Sequence, residues 1–341
     1  MEFNIKKVKE KNYGISVLRV ILSFMVVMDH FYNKKRKIKF IHILYYHIPT
    51  FFLISFFYTH KTFTSYNIEK IKLRFQRLVI PYISWSIISF ILYNIYYYIF
   101  KINCRHNLSD FFENLLNGHV FILALWFQNI LIFTTLIMSI VILLFRNEYL
   151  LILLIFIMIS YACQYSGINY NFFFLNFTSL YSATYGRFLD TFPSSLSGFF
   201  IAEFKIMNKQ RKYFQIIIII ICMIILIFIS IYKFNYKLLT FKYGGIRLNT
   251  AAICIFLIFF NLPFNIIRNI KMKNILDKIT NYTAGIYFIH FLIGKGIIMK
   301  IILGNKIETV FGCFIIYLIS YFSCFLLDKL IGNTKLKHLI K

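Results

Sequence analysis

Few residues in this chain set reactive groups in an apolar context, and the first pair stands in one stretch, LRVILSFMVVMDHF (residues 18–31). Arg19 opens it, and Asp29 and His30 close it. An Arg or Asp at the centre of a bilayer helix costs about 2.5–3.5 kcal/mol on insertion scales, so such groups call for a use. Arg19 and His30 are eleven positions apart. At 100° per residue this is three turns plus about 20°, so a helix sets them on one face, about 16 Å apart along its axis. A neutral imidazole can serve as general base or as nucleophile. A guanidinium matches phosphate oxygens with paired donors. Asp29 points about 100° away from His30 and is expected on another face. Plainer roles are open too: Arg19 can snorkel to the headgroups, and His30 can sit at the far interface.

A second group lies in EKIKLRFQRLVIPYISW (69–85). Lys70, Arg74 and Arg77 recur at i, i+4 and i+7 on one helical stripe that could grip nucleotide phosphates, and Lys72 belongs to the same basic cluster. The same cluster also fits ordinary cytoplasmic flanking charge. Further polar residues are sparse in the apolar runs. ALWFQN (124–129) carries Trp126 and Gln128, YGRFLDTFP (185–193) carries Arg187 and Asp190, and GIYFIHFLIGKG (285–296) carries His290. Each fits helix–helix packing as readily as chemistry. Nucleophile-elbow, phosphate-loop and HExxH zinc patterns are absent. The six cysteines form no CxxC or other ligand spacing, so no metal site is expected.

The elements that must position these residues follow from composition. Of 341 residues, 60% are hydrophobic and only 15% charged, against about 25% charged in soluble domains. A soluble chain of this length lacks the charged surface it would need, whereas a bilayer solvates apolar side chains. The net charge of +26 does not indicate nucleic acid, because the basic residues sit in short clusters between long apolar runs. Anionic lipid headgroups are the expected partners.

Apolar runs long enough to span occur ten times, at roughly 17–32, 42–59, 78–100, 119–145, 149–165, 188–204, 213–232, 248–267, 283–303 and 308–328. The fold class is therefore all-α: a polytopic integral membrane protein of about ten transmembrane helices. Lys and Arg are in excess on the side of the N-terminus, which predicts cytoplasmic N- and C-termini. The first run has no small-residue cleavage site after it and reads as a retained span. No internal repeat is visible.

Several of these segments resemble the membrane acyltransferase 3 family. ISVLRVILSFMVVMDHF resembles its first span, with Arg, ten residues, then His. IPTFFLISFF and KIKLRFQRLVIPYISW resemble the second span, the basic loop and the third span. ALWF, LDTFPSSLSGFFIAE and ITNYTAGIYFIHFLI resemble later motifs, in the family's order. The resemblance covers about residues 13–330 and implies a domain at 17–330 between a basic cytoplasmic N-terminus (1–16) and a basic cytoplasmic tail (331–341). It implies a plasma-membrane enzyme that moves an acyl group, commonly acetyl, from cytoplasmic acyl-CoA to a glycan or lipid-linked sugar, with no bound cofactor. His30 would be catalytic. Arg19, Lys72, Arg74 and Arg77 would hold acyl-CoA, and His290, Trp126 and Arg187 would assist. Asp29 departs from the apolar or aromatic residue expected before the histidine, and Ala124 replaces a frequent histidine. The competing readings are an exporter or flippase for a glycan or lipid-linked precursor, and a structural partner in a glycan-synthesis complex.

Overall fold

The computed structural model describes residues 12–32, 46–99, 107–117, 125–166, 179–204, 212–232, 246–262, 270–295, 308–332 and 334. Within them lie twelve α-helices and no strand. In chain order they are α1 (Tyr13–Phe31), α2 (His47–Thr64), α3 (Ile68–Ile99), α4 (Leu108–Asn117), α5 (Trp126–Leu144), α6 (Tyr149–Ser166), α7 (Ser179–Glu203), α8 (Lys212–Tyr232), α9 (Ile246–Asn261), α10 (Ile270–Asn281), α11 (Thr283–Lys295) and α12 (Val310–Ile331). Every apolar run read from the sequence holds a helix. By length and composition, five are able to cross a membrane among the described residues: α1, α3 as far as Ile95, α5, the Tyr213–Ser230 part of α8, and α12. Most of residues 1–16 and the basic tail lie outside the described residues.

Two short helices, α4 and α10, were not anticipated, because each is too short and too polar to register as an apolar run. The basic segment expected as a loop before the third span is helical as well. Asn67 Oδ1 accepts from the Lys70 amide (3.1 Å), and α3 then runs unbroken from Ile68. Lys and Arg are good helix formers, so the stripe extends the helix rather than ending it. Pro81 lies inside α3 and donates no amide hydrogen to the preceding turn. Beside this weak point Gln128 Nε2 of α5 donates to the Leu78 carbonyl (3.1 Å).

The apolar pattern decides which helices are central. α1 packs against α2, α9, α10, α11 and α12, and buries Ile15, Leu18, Leu22, Val26 and Val27. Its start is fixed by Asn12, whose Oδ1 accepts from the Ile15 amide (3.1 Å) while Nδ2 donates to the Phe260 carbonyl in the last turn of α9 (3.0 Å). By contrast α8 leaves Ile217, Ile220, Ile221, Ile224, Ile227 and Phe228 exposed. A face that apolar is stable only against lipid or another apolar surface.

The tightest seam joins α2 and α7. A Cβ on Gly198 would lie 2.1 Å from the Leu53 carbonyl oxygen, so only glycine permits this approach. One end of the same seam is tied by Glu203, whose carboxylate meets His60 Nε2 and accepts from the Tyr149 hydroxyl (3.0 Å). The pairs Leu53–Gly198 and His60–Glu203 advance in the same direction along both helices, so α2 and α7 run parallel.

Candidate active site

α1 and α11 bring two imidazoles face to face. The rings of His30 and His290 are 5.3 Å apart between centroids and tilted by 34°. Phe291 stands edge-on to His30 at 5.5 Å, and Phe31 edge-on to His290 at 6.1 Å. Gly294 makes room for the Phe31 ring, since a Cβ there would lie 2.2 Å from Phe31 Cζ. His290 is wholly buried. Its Nδ1 lies 3.0 Å from the Ile286 carbonyl one turn back. A carbonyl only accepts, so Nδ1 carries the hydrogen, and in the neutral ring Nε2 keeps a lone pair. That Nε2 is buried with no hydrogen-bond partner.

His30 opens into a small recess. α1 lines it with Val26, Asp29 and His30, and α2 with His47, Ile48 and Phe51. α5 adds Trp126 and Phe127, and α11 adds Tyr287. Aromatic contacts stiffen the wall: Phe127 packs on Phe52 at 4.5 Å and on Tyr287 at 5.3 Å. Asp29, expected on another face about 100° from His30, nevertheless lines the same recess. Val26 lies three and four residues before them, hence one turn back and between them, so the recess covers the whole sector that separates the two side chains.

The cationic residues gather elsewhere on the same helices. Arg19 Nη2 donates to Thr283 Oγ1 at the first residue of α11 (2.9 Å), and its charge is felt by Tyr58 of α2. Arg74 Nη2 donates to Ser55 Oγ of α2 (2.6 Å), and its Nε is buried without a partner. Ser55 and Tyr58 are three apart and so share a face of α2. Arg19 and Arg74, from α1 and α3, thus converge on neighbouring turns of one helix. Lys72 and Arg77 are exposed on α3, and neither lines the recess at His30. Trp126 lines the recess as a wall residue. Arg187 lies on α7, but its side chain is outside the described residues.

Sequence reasoning missed His47, Phe51, Phe127 and Tyr287. His47 begins α2 just before IPTFFLISFF, and its one signal was a histidine inside the second apolar run (42–59). Among the described residues no group of three or more His, Cys, Asp or Glu is placed to hold a metal ion.

Chemically, the arrangement offers one imidazole open to a recess, a second buried against it, and an arginine about 16 Å along α1 from the first. Residues 12–328 match the family model described as an acyltransferase domain, which spans nearly the whole chain. No curated protein and no solved structure matches it.

Proposed function

The chain belongs to the membrane acyltransferase 3 family, and from that premise we propose that it moves an acyl group, acetyl in the first instance, from acyl-CoA at the cytoplasmic face to a hydroxyl of a cell-envelope glycan or lipid-linked sugar. One observation carries the reading: His30 and Arg19 share a face of α1, with His30 on the recess and Arg19 about 16 Å along the axis beside Thr283. An extended pantetheine arm has about that reach. Arg19 and Arg74 would hold the nucleotide phosphates, and Lys72 and Arg77 would draw the anion toward the membrane surface. The thioester would then meet His30.

In the transfer step His30, as neutral imidazole, takes the proton of the acceptor hydroxyl while that oxygen attacks the thioester carbonyl. The carbon–sulfur bond breaks and CoA leaves as thiolate. The imidazolium returns the proton to that sulfur, so the products are an ester and free CoA. In the covalent variant His30 carries the acyl group transiently before the acceptor arrives. His290 backs the His30 ring with a fixed tautomer and a lone pair on Nε2. The remaining features of the reading are ten spans, both termini cytoplasmic, a plasma-membrane location and no bound cofactor.

The test uses membranes holding wild type or His30→Ala at matched expression, given radiolabelled acetyl-CoA. Label should reach membrane glycan with wild type alone. Equal label with both removes His30 from the chemistry. No label from a series of acyl-CoA donors, with acceptor glycan added, favours an exporter, which makes no ester.

A further inference from the structure

The recess at His30 is scaled to one oxygen atom. The space open to a guest within it is about 20 Å³, the room of a single water, so no ring enters and an acceptor can place no more than its hydroxyl oxygen there. Three polar side chains line it: Asp29 and His30 from α1, and His47 from α2. Phe51, Trp126 and Phe127 close much of the remaining wall. A buried water needs two to four polar partners, and these three side chains meet that need.

The polar groups suit water better than an alcohol. An alcohol oxygen carries one hydrogen, and the base takes it. Water carries two. When His30 receives the first, the second needs an acceptor of its own, because a buried O–H left unpaired is costly. A carboxylate only accepts, so Asp29 supplies that acceptor, and the transfer step makes no use of it. Asp29 and His30 are successive residues about 100° apart on α1, so they reach one oxygen from two directions, and His47 reaches it from another helix. Size gives no protection, since a slot that admits a hydroxyl oxygen also admits water.

We propose that the chain has a second activity, hydrolysis of acyl-CoA, in which a water held by Asp29 and His47 takes the place of the acceptor hydroxyl. The proposal rests on the acyltransferase reading and adds a reaction at the same site. His30 takes one proton of the water as its oxygen bonds to the thioester carbonyl carbon. The carbon–sulfur bond then breaks, CoA leaves as thiolate, and the imidazolium returns the proton to that sulfur. The second hydrogen, held by Asp29, stays on the new carboxyl group until the acid leaves and ionises. The products are the free acid and CoA, and no further reactant enters.

The full chain in detergent is given acetyl-CoA in heavy-oxygen water with no acceptor. Free CoA is followed by thiol titration and acetate by its mass. The expected result is acetate carrying one heavy oxygen, released in step with CoA and lost in His30→Ala. Asp29→Asn should lower hydrolysis about 10-fold, with transfer to added glycan falling less, so the ratio of the two rates drops. Asp29→Leu has a similar shape and no acceptor atom, and should lower the ratio further. Melting curves check the fold of both variants. The proposal is overturned if the acceptor-free protein releases no acetate above buffer, if release survives His30→Ala, or if neither Asp29 change moves the ratio. The two readings fail separately. Transfer to glycan without acetate release keeps the transferase and removes the hydrolysis. Acetate release that needs His30 and Asp29, with no transfer to any added glycan, keeps the hydrolysis and removes the transferase.

Discussion

Gly198 is the position where one methyl group should disturb the whole site. α7 lies so close to α2 that an added Cβ would sit 2.1 Å from the Leu53 carbonyl oxygen and 2.8 Å from its carbon. Ordinary contact begins at 3.4 Å, so the helices must separate by 3.4 − 2.1 = 1.3 Å or rotate by an equivalent amount. The obstacle is backbone, so no side-chain rotamer relieves it. Overpacking of this kind costs about 1–3 kcal/mol. The displaced helix also carries His47 into the recess and Ser55 to Arg74, six residues before Leu53 and two after it. A misplacement of about 1 Å can cost on the order of 10²-fold in rate. Gly198→Ala should therefore lower both thermal stability and acetyl transfer, and transfer should fall further than the loss of folded protein explains. The neighbouring Ser197→Ala is the control. It adds no bulk and removes only a hydrogen bond to the Pro193 carbonyl of its own helix (2.8 Å). The assay pairs detergent-solubilised melting curves with label transfer normalised to folded protein. Full transfer and an unchanged melting temperature in Gly198→Ala would refute the claim that the α2–α7 seam sets the site.

Two further predictions concern the charged and buried groups. Thr283→Val removes the oxygen that accepts from Arg19 Nη2; it should raise the KM for acyl-CoA several-fold while kcat changes little, read by initial rates against donor concentration. His290→Phe keeps an aromatic ring among Phe31, Phe291 and Tyr287 but removes Nε2; the protein should fold, and transfer should drop by about 10²-fold or more if that lone pair serves proton transfer. Unchanged transfer would make His290 a packing residue alone.

The sequence by itself determined the class of molecule and one axis of the site. Runs of apolar residues admit only helices in a bilayer, because every backbone polar group must be satisfied within its own segment. The eleven-residue interval between Arg19 and His30 holds on any straight helix, so a shared face at about 16 Å was legible without a fold. The ordered motifs likewise pointed to the family that the match over residues 12–328 shows. Spacing along one helix says nothing about neighbours on another. That His290 of α11 meets His30 of α1, and that Arg74 of α3 meets Ser55 of α2, depends on which helices pack and at what depth. Asp29 marks the same boundary. Angular position put it on a different face from His30, and that angle is correct. Only the tertiary structure decides how wide a sector of α1 is left open, and the gap between α2, α5 and α11 is broad enough to receive both.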